Sequence, residues 1–394
     1  MATIKKRRWE SPSGEIKDAW QVDYRDQAGK RRSKQFARKK DAEAWLTQAA
    51  WHVSQGTHTP DSQSITVKKA GELWLARARL EALEPTTIAS YDQHIRLHIN
   101  PLCGEKKLSQ LTKPIVEGYR DQLMGKLSRP MATRVLRSLT SIISEAQRRG
   151  HVAQNVAAGV RVRRVQREKA KVTIPTKVEL NAMIEAARKS SEPMAWPLLT
   201  TTIFAGVRAS ELRGLPWRCV DLKSGTVTIE QRADAQGNIG APKSASGRRS
   251  IPLPPTAIQA LRAWKLQCPR TDDDLVFPSI GKKAMSHRYM TLNIFAPVQI
   301  ASKVFDTVKI DDESEIQRPR YTLHELRHAA ASLWIEQRVN PKRVQRWMGH
   351  SSIQVTFDTY GHLFDQADQD ATVAAAIERE VLGAGDATPV QHGA

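Results

Sequence analysis

The chain has 394 residues, too many for one compact core, and its 61 Lys/Arg against 41 Asp/Glu leave a formal charge of +20. That surplus points to a polyanionic partner, nucleic acid being the commonest, although a basic housekeeping or ribosomal protein would share it. Cys103, Cys219 and Cys268 are odd in number and lack zinc spacing, no apolar run approaches the roughly 20 residues of a membrane span, and "MATIKKRRWE" has no apolar stretch behind its charges. A disulfide framework, a membrane partner and a signal peptide are therefore not expected, and the chain reads as a cytoplasmic protein with free thiols.

The first unit is placed at residues 1–58. "KKRRWE", "AWQVDYRD" and "KRRSKQF" are short strand-like runs separated by the turns "SPSGEIK" and "QAG". "KKDAEAWLTQAAWHVSQG" follows, with Ala42, Trp45, Leu46 and Ala49 at helical spacing and Gly56 as a stop. Three strands and a helix make a small α+β unit, and residues 56–64 read as a linker. Residues 65–162 read as an all-α bundle of four helices with Pro85, Pro101, Pro114 and Pro130 at its joints. "GVRVRRVQREKAK" (159–171) has six basic residues and one acidic, the composition of a solvated linker or of a strap across phosphates. Arg7, Arg8, Arg31 and Arg32 in the strands, with Arg161, Arg163 and Arg164 in the strap, are the candidate DNA contacts.

Residues 173–370 read as a mainly α unit with a small antiparallel sheet, and 371–394 as a tail containing a helix around Val373–Leu382. Thr176 and Glu179 are spaced as a capping box. "GTVTIEQR" and "RRSIPLP" read as strands flanking a long loop. The whole is a multidomain chain: sheet plus helix, helical bundle, and a mixed third unit.

This third unit holds the residues that invite chemistry. In "FAGVRASEL", Gly206 makes a tight turn and Arg208 falls in the first turn of a helix, where the dipole disfavours a cation. A bound phosphate resolves the conflict, and Glu211 is spaced to orient the guanidinium; the plain alternative is a surface Arg–Glu pair. In "HELRHAAASLW", His324 and Arg327 share one helix face, while His328 packs or caps. Lys243 sits in "APKSASGRRSIPL" on a turn between strands, where a lysine is usually just solvated charge. His350 follows Gly349, and Tyr360 lies ten residues later. Each has a bland reading that outweighs its functional one when it stands alone. An Arg, a Lys, a His-x-x-Arg, a Gly-His and a Tyr in this order in one unit of a basic chain favour function.

That ordered set resembles the tyrosine recombinase family, the phage-integrase type of site-specific DNA recombinase. "AGVRASEL" is similar to the family's first arginine box, with Ala205-Gly206-Val207 a mild departure from the usual Thr-Gly-Leu. The resemblance implies Arg208, Lys243, His324, Arg327 and His350 as the catalytic set and Tyr360 as the nucleophile. It implies 1–58 as an arm-type DNA-binding domain, 65–162 as a helical SAM-like core-binding domain that clamps DNA with the catalytic domain, and a tail docking on a neighbouring subunit. It also implies double-stranded DNA at core and arm attachment sites as partner, and a homotetramer on that DNA in the host cytoplasm at the nucleoid. An excisionase and a host DNA-bending protein are candidate accessory partners. No cofactor and no metal ion are expected. A resolvase or type IB topoisomerase-like strand transferase, or a DNA-binding regulator that has lost catalysis, remain the alternatives.

Overall fold

Alternation of side chains builds the first sheet. In the computed structural model, which describes residues 2–12, 14–163, 173–309 and 314–364, the chain divides into two units, Met1–Arg167 and Glu168–Ala394. The first begins with β1 (Thr3–Glu10), β2 (Ile16–Arg25) and β3 (Arg31–Phe36), an antiparallel sheet in sequence order. Helix α1 (Lys39–Ser54) covers one face: Trp45 packs edge-on against Tyr24 and at a tilt against Phe36, over the fully buried Val22. Period two puts Lys5, Arg7, Gln21, Asp23 and Arg31 on the opposite face, where Asp23 pairs with Lys5 and Arg31. The expected linker is instead packed. His58 shares a hydrogen bond with the Tyr24 hydroxyl at 2.8 Å, Asp61 pairs with Lys34 and Ser109, and Thr59 takes the Ala153 N–H.

Four helical segments follow: α2 (Val67–Leu80), then α3 (Pro85–His94) running through a π-helical stretch at Ile95–Ile99 into α4 (Asn100–Cys103), then α5 (Lys113–Lys126) and α6 (Arg129–Arg148). Pro85, Pro114 and Pro130 sit in first turns. Pro101 does not mark a joint. It lies inside a continuous helical run, and the wider π turn before it relieves the clash of its ring with the preceding carbonyls. The bundle core includes Leu108, Leu139, Ile142 and Ile143. At its edge Glu145 is buried against Arg77, Arg148 and Arg149.

The second unit opens with α7 (Lys177–Arg188), capped by Thr176 and Glu179 as their spacing predicts. Helices α8 (Ala195–Ala205) and α9 (Ala209–Arg213) lead to β4 (Val220–Asp221) and β5 (Thr226–Ile229). The loop expected next contains its own short ladder, β6 (Arg232–Ala233) with β7 (Ile239–Gly240), before β8 (Arg249–Pro252) closes a sheet of order β4-β5-β8. Then come α10 (Pro255–Lys265), a single turn α11 (His287–Tyr289), a second π stretch (Met290–Phe295) followed by α12 (Ala296–Ala301) with Pro297, and the hairpin of β9 (Phe305–Lys309) and β10 (Glu315–Pro319). Helices α13 (Leu323–Glu336), α14 (Pro341–Met348) and α15 (Ile353–Phe364) complete it. Among the described residues no helix is long and apolar enough to cross a membrane. The core gathers around Leu198, Ile203, Phe277, Phe295 and Leu326.

Burial opposes ionisation of Glu145, but its arginine hydrogen bonds outweigh that and hold the carboxyl down at about 2. A folded value below the unfolded one gives stability that is complete above about pH 4.5 and lost as pH falls toward 2. Glu145→Gln should therefore destabilise the protein by about 1–3 kcal/mol at pH 7, the usual range for a lost buried charge-assisted hydrogen bond. The gap between variant and wild type in urea unfolding should close across that acid window.

Candidate active site

The site is assembled where two helices end on glycine. Gly206 closes α8 at φ +55° and Gly349 closes α14 at φ +62°, both left-handed. A Cβ at Gly206 would come within 3.0 Å of the Ala330 Cβ and 3.1 Å of the Trp334 ring, and one at Gly349 within 3.0 Å of the Arg249 guanidinium. Only glycine fits either place. Helix ends leave carbonyls without intrahelical partners and carry partial negative charge, and here those carbonyls hold arginines. Arg327 donates to the carbonyls of Gly206 and Met348, Arg208 to that of Gly349 at 2.9 Å, and Arg249 to that of Trp347 at 2.6 Å.

Arg208 is the N-cap of α9, one position before the first turn in which its sequence placed it. Its extended backbone (ψ 149°) lets its own N–H donate to Glu211 Oε2 at 2.8 Å while its guanidinium donates to Oε1 at 2.7 Å. Glu211 also receives Arg249 at 3.0 and 2.8 Å. The Arg249 side chain has no solvent exposure, whereas that of Arg208 is 39% exposed. Burial pushes the Glu211 carboxyl up, yet Arg249 and Arg208 overcome it and hold the group at about 2. Arg327 is buried with carbonyl partners alone, and desolvation together with the nearby Arg208 charge lowers it to about 9. Two arginines are thus fixed around one carboxylate, a third is held on carbonyls, and the fork of Arg208 reaches solvent.

Three histidines border this cluster. His350 is held through Nδ1 by Thr356 at 2.9 Å, and burial plus the charges of Arg327, Arg208 and Arg249 push it down to about 4. His324, exposed in the first turn of α13, meets the edge of His328 with ring centroids 4.6 Å apart. Tyr360 lies within helix α15 and is only 3% exposed among Ala331, Ile335, Val344 and Met348. Burial raises its hydroxyl to about 12 although Arg327 draws it back. That hydroxyl is 2.6 Å from Nδ1 of His328.

Of the residues singled out from sequence, Arg208, His324, Arg327, His350 and Tyr360 fall on the segments that meet here. Lys243 is exposed on the loop before β8 and, among the described residues, no hydrogen bond or ion pair joins it to the cluster. Arg249 is the residue that sequence reasoning missed. The signal was present: in β8, Arg249 and Ile251 share the buried side, so an arginine stood at an apolar position of a strand. Among the basic residues of unit one, Arg7 and Arg31 lie on the open sheet face, and Arg31 is 74% exposed. Arg8 and Arg32 lie on the other face, and Arg32 is engaged by Asp26 at 2.8 Å and by Ser62. Arg161 and Arg163 are exposed, the Arg163 carbonyl accepting from Arg129. Arg164 and the tail with Val373–Leu382 lie outside the described residues.

Two family models match this chain. The phage integrase family model covers residues 175–367, and the N-terminal SAM-like domain of phage integrases covers 66–124. The chain belongs to the tyrosine recombinase (phage integrase) family, enzymes that break and rejoin DNA. Its curated relatives include a XerC-like tyrosine recombinase of Caldanaerobacter subterraneus subsp. tengcongensis, 25% identical over 88% of this chain and 92% of that one. The ICEBs1 integrase of Bacillus subtilis is 21% identical over 78% of this chain and 82% of its own. The fold is shared with the Tn1549 transposon integrase solved in complex with a circular intermediate DNA (TM-score 0.61, 17% identity, 80% of this chain and 100% of that one). It is shared too with a lambda integrase dimer bound to a COC′ core site (TM-score 0.57, 18% identity, 92% and 95%).

Removing one partner of a buried ion pair leaves an uncompensated charge and costs about 3–5 kcal/mol. Glu211→Leu should lower the stability of the protein by that order in denaturant titrations. The double variant Glu211→Leu/Arg249→Met should recover most of it, because both buried charges are then gone.

Proposed function

We propose that this protein is a site-specific integrase that cuts and rejoins DNA through a 3′-phosphotyrosine intermediate, inserting and excising a phage or other mobile element. Tyr360 attacks the scissile phosphate in line. Arg208 and Arg327 hold its non-bridging oxygens and stabilise the charge that builds on them. His324 and His350 hydrogen-bond the same group, and Lys243 protonates the 5′-oxygen that leaves. The new phosphotyrosyl diester resembles the old diester in energy, so a second 5′-hydroxyl can reverse the step without ATP. The observation that carries this reading is the arginine cluster itself: three guanidiniums held on helix-end carbonyls and one carboxylate, with Arg208 open to solvent and Arg327 near enough to Tyr360 to act on its hydroxyl.

Residues 1–58 bind arm-type DNA sites in this reading, through the open sheet face of Lys5, Arg7 and Arg31, whose alternate spacing suits a groove. Residues 65–162 bind the core site with the catalytic unit, four copies assemble on DNA, and an excisionase and a DNA-bending protein bias direction. The protein works in the host cytoplasm, at the nucleoid.

A nicked suicide duplex carrying the core site, identified from the DNA flanking the gene, tests the chemistry. The wild-type chain should form a denaturation-resistant covalent adduct and Tyr360→Phe none; an adduct with the phenylalanine variant, or none with wild type, refutes the assignment. Arg208→Ala should slow adduct formation by the equivalent of about 3–4 kcal/mol of barrier. For the arm site, Arg7→Ala and Arg31→Ala should each reduce the slope of log affinity against log salt by about 0.9, the value for one fewer neutralised phosphate. Arg32→Ala should leave that slope unchanged.

A further inference from the structure

The assigned chemistry gives a donor for the leaving-group proton but no acceptor for the proton that Tyr360 must lose. Among the described residues the structure puts one titratable group within hydrogen-bond reach of that hydroxyl: Nδ1 of His328, at 2.6 Å. The two rings are 5.6 Å apart and tilted by 56°, so they meet through their heteroatoms rather than by stacking. His328 directly follows Arg327 on α13 and is half-buried. Its ring meets His324 edge-on. A third histidine of the site, His350, already commits Nδ1 to Thr356.

We propose that His328 is the general base for the nucleophile, its Nδ1 taking the proton of Tyr360 as Oη attacks phosphorus. The inference rests on the reading of Tyr360 as nucleophile. The Oη–P bond forms and the P–O5′ bond breaks. The tyrosyl proton passes to His328, and the 5′-oxygen receives its proton from Lys243. On rejoining, the Lys243 amine takes the proton of the incoming 5′-hydroxyl as O5′ attacks phosphorus, the P–Oη bond breaks and the His328 imidazolium returns its proton to Tyr360, so each strand exchange leaves all three groups as they began.

The electrostatic setting suits a base that acts only on bound DNA. Burial and the charges of His324 and Arg327 push His328 down to about 4, so at neutral pH its ring is uncharged. The hydroxyl that faces it is raised to about 12, which keeps the proton on oxygen in the free protein. Among the described residues the groups around His328 are His324, Glu325 and Arg327 from α13, Tyr360 from α15 and His350 from the turn before it. A phosphodiester docked on the arginines adds a negative charge beside this set, and a nearby opposite charge favours the imidazolium.

The test uses the full-length chain and the nicked core-site duplex, with single-turnover adduct formation followed across pH. His328→Asn places an amide oxygen near the position of Nδ1, which keeps an acceptor for Tyr360 but removes the basicity. His328→Ala opens a space for imidazole supplied in the buffer. Both variants should slow the adduct on the order of 100-fold or more, the size of a general-base contribution. They should also lose the limb of the wild-type pH profile on which rate rises with pH, and imidazole should restore His328→Ala. A duplex with sulfur in place of the bridging 5′-oxygen needs no leaving-group acid. It should rescue Lys243→Ala and leave both His328 variants slow. His328→Asn cutting at the wild-type rate, rescue of either His328 variant by the sulfur substrate, or failure of imidazole to restore His328→Ala overturns the proposal. Should His328→Asn fail to bind the core duplex in a gel-shift assay, the imidazole result alone decides. Absence of any adduct with the wild-type chain would instead remove the Tyr360 reading on which the inference stands.

Discussion

The arrangement depends on one buried carboxylate. Glu211 is the counter-charge that lets Arg249 exist with no solvent exposure and lets Arg208 stand at a helix start, where the dipole alone would repel it. Around that carboxylate the helix-end carbonyls of Gly206, Trp347, Met348 and Gly349 supply further acceptors. Dipoles of this kind anchor guanidiniums without neutralising them. The cluster keeps a net positive charge that is already oriented, which is the condition for electrostatic stabilisation of an anion without reorganisation.

The same economy explains why the glycines matter. A left-handed residue at each helix end turns the chain and leaves its carbonyl pointing at a neighbour's guanidinium. Gly206 also lies against Ala330 and Trp334 on α13, so α8 and α13 approach closely where Arg327 must reach across. Packing and charge placement are therefore one requirement here. Tyr360 completes the pattern from a small satellite core rather than the main one, tied by its packing to Ile335, Val344 and Met348 and by its hydroxyl to His328.

Much of this was legible in the residues. Strand-like runs bounded by turn segments located the three strands of the first sheet, helical spacing located α1 and the bundle, and the Thr176–Glu179 spacing located a cap that the structure contains. The arginine, histidine and tyrosine boxes carried the family. What was hidden depended on long-range pairing or backbone detail. Arg249 lies in a stretch of positive charge that reads as surface, and only its pairing with Glu211, 38 residues away, buries it. Polarity alone made "GTHTPDSQS" a linker, yet its polar atoms are satisfied by Lys34, Ser109 and Ala153 from distant segments. Proline at 101 signals a break unless a π turn precedes it, and nothing local announces that turn. Arg7 and Arg8, like Arg31 and Arg32, look equivalent as pairs until the sheet assigns them to opposite faces.

The helix-end cage has a consequence in time as well as space. Its parts come from α8, α9, β8, α13 and α14, and the tyrosine from α15, the last helix described, so they span residues 206 to 360. The basic sheet and bundle precede all of them. A chain emerging from the ribosome thus completes its basic sheet and bundle before any part of the arginine cluster has left it. Because the arginines are placed by the ends of helices rather than by any one local motif, a partly folded second unit holds no working fragment of the site.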